Sequence, residues 1–366
     1  MKHTKKILLV TSEFPPQPGG IGNHAYNLAS QLQQNGFEVA VMADTRSKNG
    51  LVEKQFDDAL PFKVYRTKRF KLLIWTYLKR IWLYTQITRQ YGNIIASGKF
   101  SLWLVGFGML NTKVNRMAVI HGSEVNYKKR GPKKMTDAAL KRFDQVVAVS
   151  NFTKSLVHHL KLNTVYVIPN GVNMDGFEQG TFTGELIGTP KLVTVGAISE
   201  RKGQHNVIEK LPALIKTHPG IHYHMVGIPT EKEKLLKIAT ALEVENHITF
   251  HGMVTPMRLN EILSASDVFV MLSEQTQAGD VEGFGIALIE ANFMGLPAIG
   301  SKNCGIEDAI KNKYSGVLID PKSAVEFEDA LVEILVNKTA YVYNAKQWAL
   351  QHTWETVIIQ YLKLLS

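Results

Sequence analysis

The chain has 366 residues, 45% of them hydrophobic and 20% charged, and a formal net charge of +10. That length suggests two domains, each large enough to bury its own core. A single cysteine, Cys304, excludes an internal disulfide, and no Cys/His spacing suits zinc. No uncharged stretch reaches the roughly 20 apolar residues needed to span a bilayer. The basic start runs directly into an apolar run over 7–12 that reads as a buried strand, so neither a signal peptide nor a transmembrane helix is expected and the sequence reads as cytosolic. The charge is uneven: residues 1–170 carry 26 Lys+Arg against 9 Asp+Glu, and residues 171–366 carry 16 against 23. No acid occurs between Asp58 and Glu124. A positive field confined to one half should face an anionic surface or ligand.

In chain order, apolar runs of strand length alternate with segments of helical period, the rhythm of βαβ units. The first half predicts strands over 7–11, 38–43, 102–105, 117–120, 145–149 and 165–168, with helices over 21–34, 72–91 and 151–160. Pro169-Asn170-Gly171 ends the last of these strands. A second alternation has strands over 191–195, 222–226, 248–250, 267–272, 297–300 and 317–319. Two doubly wound domains are therefore expected, over 1–175 and 176–345, with the boundary in the Gly- and Thr-rich stretch 175–190. A last helix over 346–366, carrying Trp348, Trp354, Ile358, Tyr361 and Leu365, should pack back on the N-terminal domain.

Three local patterns carry chemistry. After the first strand, Gly20-x-Gly22-x-x-Ala25 matches a dinucleotide fingerprint, and Asp44 ends the next strand where a ribose-binding acid would sit. Six residues, three of them proline, separate Ser12 from Gly19, however, and a nicotinamide-binding turn needs its first glycine directly after the strand. A Gly19-Gly20 loop at a helix start still lets backbone amides approach phosphate or substrate; a tight turn without ligand is the bland reading. Gly196 then ends a strand and leads to Arg201-Lys202-Gly203, two adjacent cations placed for a diphosphate. Next, Asp280-Val-Glu282-Gly283-Phe284-Gly285-Ile286 opens a helix that contains Glu290. Glu282 and Glu290 cannot form a dyad on one helical face, so separate hydroxyl-binding roles fit better. Alternatively, Glu282 is a helix-N-terminal acid and Glu290 is solvated. No required metal is expected, because Asp280 and Glu282 have no further hard ligands beside them.

Taken with Phe14-Pro-Pro, His121-Gly-Ser-Glu124, Val147-Ala-Val-Ser150, Pro169-Asn170-Gly171-Val172 and the seven residues separating Glu282 from Glu290, these patterns resemble the family 4 retaining glycosyltransferases of the GT-B fold, nearest to the phosphatidylinositol mannosyltransferases. The resemblance covers nearly the whole chain. It implies an α/β architecture of two Rossmann-like domains facing across a cleft, with a C-terminal helix crossing back. It further implies transfer of a hexosyl group, from GDP-mannose by weak preference and otherwise from UDP-hexose or UDP-HexNAc, to a lipid-linked or glycan acceptor in envelope polysaccharide or glycolipid synthesis. No cofactor is implied, since the nucleotide-sugar is a substrate. Arg201 and Lys202 would neutralise the diphosphate, Glu290 would hold the ribose, and Glu282 with the amides of Phe284 and Gly285 would hold the sugar and distal phosphate. Gly19, Gly20, Gly196, Gly227, Met253, Val254, Gly283 and Ile286 would line the donor, His121 would meet the transferred sugar, and Glu13, Asn23, Ser150 and Asn151 would take the acceptor. Where relatives carry Gly-Gly-x-Pro-Glu, this chain has Asn303-Cys304-Gly305-Ile306-Glu307.

The segment 70–91 mixes Trp75, Tyr77, Trp82 and Tyr84 with Lys71, Lys79, Arg80 and Arg89. It reads either as core or as an interfacial element on anionic lipid, which would make the protein peripheral on the cytoplasmic membrane face. Nucleic-acid binding is the rival account of the basic half, but no recognition motif supports it. For the chain as a whole, an NAD-dependent oxidoreductase and a non-catalytic sugar-binding relative are the rival readings.

Overall fold

The computed structural model describes residues 5–17, 19–108, 114–177 and 186–365. The chain forms two compact units, Met1–Gly171 with Trp354–Ser366, and Val172–Thr353. In the first unit the strands are β1 (Lys6–Thr11), β2 (Glu38–Thr45), β3 (Lys63–Lys68), β4 (Asn93–Ser97), β5 (Asn115–Ile120), β6 (Gln145–Ala148) and β7 (Val165–Val167). All pair in parallel, in the order β3-β2-β1-β4-β5-β6-β7. The second unit holds β8 (Lys191–Val195), β9 (His222–Val226), β10 (Ile248–Gly252), β11 (Val268–Met271), β12 (Ala298–Ser301) and β13 (Gly316–Ile319). These too are parallel, ordered β10-β9-β8-β11-β12-β13.

Parallel sheets carry helices on both faces, so their central strands are apolar throughout rather than alternating. Ile7–Val10 of β1 and Val268–Met271 of β11 are fully or almost fully buried in this way. Leu8, Ala40, Ile94 and Ile120 build one face of the first core, and Leu192, Met225, Val270 and Ile299 one face of the second. In each sheet the chain winds outward from a central strand and then returns on its other side, so β1 with β4, and β8 with β11, mark the switch points. Open α/β sheets bind ligands at the carboxyl ends of the strands at such points.

Several elements differ from the sequence expectation. Residues 102–105 lie not in a strand but in helix Lys99–Phe107, where Leu102 and Val105 are buried. A Cβ on Gly106 would lie 2.9 Å from Ala139 Cβ, so the glycine lets this helix pack directly on helix Arg130–Leu140. β3 and β4 have no counterpart among the expected strands. The helix over 72–91 is Leu73–Ile87 followed by the 3-10 turn Thr88–Gln90, and that over 151–160 is Asn151–Ser155 followed by His158–Leu160.

The terminal segment is two helices. Lys338–Leu350 belongs to the second unit and Trp354–Leu365 to the first. Val172 N–H donates to His352 O (2.9 Å) and Val172 pairs with Thr353, both in the second unit, so the chain passes between units directly after Gly171 and again after Thr353. The expected boundary stretch lies further on, and its residues 178–185 fall outside the described ones. A Cβ on Gly171 would come within 2.5 Å of the Trp354 ring, so only glycine admits the indole there. The last helix packs on Gly20–Gln34, with His24 Nε2 3.2 Å from the Tyr361 hydroxyl and the His24 and Trp354 rings 5.2 Å apart.

Neighbouring strands of the second sheet carry three linked histidines. His224 Nε2 lies 3.1 Å from Ile187 O and must carry its proton to donate there, which leaves Nδ1 to accept from His251 Nε2 at 3.1 Å. His222 Nε2 meets Thr249 Oγ1 at 2.8 Å. Burial holds both His222 and His224 down to about 4. A depressed histidine contributes stability that is complete above the unfolded value near 6.5 and is lost as pH falls through the folded value. Between pH 7 and pH 5 the wild type should therefore lose more stability than a His222→Gln/His224→Gln variant, whose carboxyl groups titrate alike. Differential scanning calorimetry should show the gap between the two melting temperatures changing by about 3 °C or more.

Candidate active site

The loop after β8 and the loop after β11 meet at the switch point of the second sheet. Gly196 and Gly227 end β8 and β9 with φ of +143° and +142°, and a Cβ on Gly227 would lie 2.1 Å from Gly196 O. A Cβ on Gly196 would stand 3.1 Å from Lys202 Cε, so this bare backbone is the surface across which the lysine stem lies. Gly203, at φ +72°, packs so closely on Leu272 that a Cβ would overlap its carbonyl oxygen at 1.8 Å. Two buried amides brace the same loop: Gln204 Nε2 donates to Ala197 O (3.1 Å), and Asn206 Nδ2 donates to Leu272 O (3.0 Å). The loop is thereby fixed on the end of β11.

Arg201 and Lys202 consequently reach one acceptor, Glu282. Arg201 Nη1 is paired with Glu282 Oε2, and Lys202 Nζ lies 2.9 Å from the same oxygen. The Gly285 N–H, at the start of helix Ile286–Phe293, also donates to this carboxylate. Burial works against the charge on Glu282, yet Lys202 and Arg201 together outweigh it and hold the acid below the usual carboxylate range. Glu290, half-buried one turn into that helix, is pushed up to about 7 by burial against the pull of Lys202. The two acids are thus shifted in opposite directions, Glu282 down by its cations and Glu290 up by burial.

The loop that departs from the family pattern is structural here. Gly305 N–H donates to Glu282 O (3.0 Å), and a Cβ at Gly305 would lie 2.1 Å from Gly283 O. Phe284 is buried, its ring 5.8 Å from that of His352. Val254 and Ile286 are half-buried, and Met253 is 72% exposed. Sequence reasoning missed Gln204, Asn206 and Gly305; buried amides directly after an Arg-Lys-Gly turn were the available signal for the first two.

In the first unit, His121 follows β5. Its Nε2 lies 2.9 Å from Ser97 Oγ at the end of β4, its ring is 5.0 Å from that of His24, and burial holds it down to about 4. Glu13 and Gly19 are half-buried, while Gly20 and Asn23 are exposed at the start of helix Gly20–Gln34. No heavy atom lies within 4 Å of a Cβ built on Gly20. Asn151 is exposed, but Ser150 is fully buried and its oxygen caps helix Asn151–Ser155 by accepting from Thr153 N–H (3.0 Å), so it presents no side chain to an acceptor. The dinucleotide reading fails on Asp44. That acid is buried in a two-point pair with Arg80, with Nε–Oδ1 at 2.8 Å and a second bond from Nη2. Among the described residues, no group of three or more His, Cys, Asp or Glu could hold a metal ion.

Two family models match the chain, "Glycosyltransferase Family 4" over residues 18–175 and "Glycosyl transferases group 1" over 183–348. Relatives extend over nearly its full length. A GDP-mannose-dependent alpha-(1-6)-phosphatidylinositol monomannoside mannosyltransferase of Mycobacterium tuberculosis is 26% identical, across 96% of both chains. A GDP-mannose-dependent monoacylated alpha-(1-6)-phosphatidylinositol monomannoside mannosyltransferase of Corynebacterium glutamicum is 24% identical, across 92% of this chain and 90% of the relative. Among solved structures, Anabaena HepE in complex with UDP and glucose superposes with a TM-score of 0.79 at 18% identity, over 98% of this chain and 99% of that one. Sucrose-phosphate synthase from Thermosynechococcus elongatus gives 0.81 at 19% identity, over 98% of each. The chain belongs to the family 4 glycosyltransferases of the GT-B fold. Within that family it resembles the phosphatidylinositol mannosyltransferases.

Because Gly305 abuts the main chain that carries Glu282, Gly305→Ala should cost about 1–3 kcal/mol of stability by overpacking. Urea denaturation of the two proteins measures it; equal midpoints would show that the loop yields freely.

Proposed function

We propose that the chain is a retaining, metal-independent hexosyltransferase that uses a nucleotide-diphosphate sugar, GDP-mannose before UDP-hexoses, and glycosylates a lipid-linked acceptor at an anionic membrane surface. The observation that carries the donor half is the convergence of Arg201, Lys202 and the Gly285 N–H on one anionic oxygen pair. A phosphate offers the same acceptors as the Glu282 carboxylate and more charge, so it competes for these donors. As the glycosidic bond breaks, charge grows on the departing diphosphate, and two cations already held in place stabilise it without reorganisation. They supply the positive charge that a metal would otherwise bring.

Glu282, released from its cations by the phosphate, turns to sugar hydroxyls, and Glu290 grips the ribose. Neither is disposed as a free nucleophile: Glu282 is engaged by the sugar hydroxyls, and Glu290 is pushed up to about 7 by burial, so a large share of it carries a proton near neutrality. This supports front-face transfer, in which the acceptor oxygen attacks the sugar carbon from the side the diphosphate leaves, and a departing phosphate oxygen takes the acceptor's proton. The anomeric configuration is thereby retained. The first unit takes the acceptor, with His121 as its catalytic group and Glu13, Asn23 and Asn151 as acceptor contacts. The names of the relatives support GDP-mannose and a phosphatidylinositol-type acceptor, and so a place in envelope glycolipid synthesis.

Helix Leu73–Ile87 supports the membrane half. It buries Thr76, Arg80, Tyr84 and Ile87, while Ile74, Trp75, Leu78, Ile81 and Trp82 are each 47–60% exposed. This apolar ridge carries Lys79 beside it and lies in the acid-free stretch, which suits an amphipathic element seated among anionic headgroups. Among the described residues no helix is long and apolar enough to cross a membrane.

In calorimetric titrations, GDP or UDP should bind the wild type, and Lys202→Ala should weaken binding at least about tenfold, the equivalent of roughly 1.4 kcal/mol. Wild-type affinity in the variant would sink the donor assignment. Binding and transfer should both persist in EDTA. On sedimentation with phosphatidylglycerol vesicles, the wild type should pellet in a salt-sensitive manner and Trp75→Glu/Trp82→Glu should stay in the supernatant; a wild type that ignores such vesicles would refute the membrane reading.

A further inference from the structure

Glu124 lies three residues beyond His121 and turns back on it. Its Oε1 accepts from the His121 main-chain N–H, in a turn where Val125 and Asn126 N–H both donate to Gly122 O, at 3.0 and 3.1 Å. Gly122 allows that turn with φ of +117°. The residue is 1% exposed, and its Oε2 is shut off from solvent with no hydrogen-bond partner. An orphan oxygen on a neutral acid costs little beside one on a buried carboxylate, whose full charge then has nothing to answer it. The charged groups that face Glu124 are Lys99, at the start of helix Lys99–Phe107, which favours ionisation, and Glu13, in the loop after β1, which opposes it. On the side of His121 the rings of His121 and His24 are both kept neutral by burial, so no cation arises there near neutrality. Burial prevails and lifts Glu124 to about 7.

We propose that Glu124 is a positioning residue for His121: as a neutral acid it clamps the turn that sets the histidine ring, and on ionising it loosens that clamp. Ionised Glu124 remains a good acceptor for the His121 N–H, but its other oxygen then bears charge without a donor and stands near Glu13. Relief comes from opening the turn to water, and that movement carries His121 with it. For its effect on turnover the inference rests on the reading of His121 as a catalytic group; its effect on the ring does not.

The test is a pH titration, from 5.5 to 8.5, of the full-length protein labelled with isotopes in histidine, His121 being assigned by the signal missing in His121→Asn. The His121 ring is itself neutral over this range, so its resonances should shift only because of Glu124, with a midpoint near pH 7. Glu124→Gln keeps an acceptor for the N–H and cannot ionise, so the shift should vanish. Glu13→Gln, which removes the opposing charge, should move the midpoint to lower pH and serves should Glu124→Gln not fold. A flat wild-type titration, a shift that survives in Glu124→Gln, or a midpoint unmoved in Glu13→Gln would each overturn the proposal. If His121→Asn instead turns over GDP-mannose at the wild-type rate, the catalytic reading of His121 falls while the titration stands.

Discussion

Three donors from two loops hold one carboxylate. Arg201 and Lys202 come from the turn after β8, and the Gly285 N–H from the start of the helix after β11; all bind Glu282. Neither loop alone makes this site, and their meeting depends on β8 and β11 being neighbours although they are far apart in sequence. The glycines around it follow from the same demand. Gly203, Gly227 and Gly305 stand where any side chain would overlap the main chain of a neighbouring loop. A buried charge cluster of this kind is costly unless every partner is in place, so packing that looks remote from chemistry is what keeps the cations aimed.

The first unit has the same winding and uses the corresponding strand ends differently. Near the end of its second strand an acid, Asp44, is consumed by Arg80, while the Arg80 guanidinium also lies over Phe100 at 4.5 Å. That pair anchors the inner face of helix Leu73–Ile87, whose outer face stays apolar and uncovered. At the ends of β4 and β5, Ser97 and His121 form a polar cluster that leans on His24 and, through it, on Tyr361 and Trp354. The same sheet topology therefore carries an ion-pairing site in one unit and a neutral histidine cluster in the other.

The alternation of apolar runs is enough to read two doubly wound units, because central parallel strands are apolar on both faces and stand out from their surroundings. Edge and short strands do not. β3, Lys-Val-Tyr-Arg-Thr-Lys, is too basic to read as buried, and β4 is five residues following a long helical pattern. Leu102-Trp-Leu-Val105 misleads for the opposite reason, since a short run buried all round has no period to separate helix from strand. At the site, Arg201, Lys202, Glu282 and Glu290 can be singled out by residue type and by their place at strand ends. That Arg201 and Lys202 share Glu282 cannot, because 81 and 80 residues separate the partners and only the strand order brings them together. Ser150 shows the converse: a serine in a promising position is spent as a helix cap.

The final helix belongs to the unit in which the chain begins, seated on Gly20–Gln34 with Trp354 lodged over Gly171. The two halves are thus not modules strung end to end, and a single cut cannot separate them. A chimera that exchanges the unit 172–353 for that of a relative has to splice at two seams, after Gly171 and before Trp354, and leave the tail with its host. Truncation after residue 353 would remove part of the core of the N-terminal half while sparing the half to which the tail is joined in sequence.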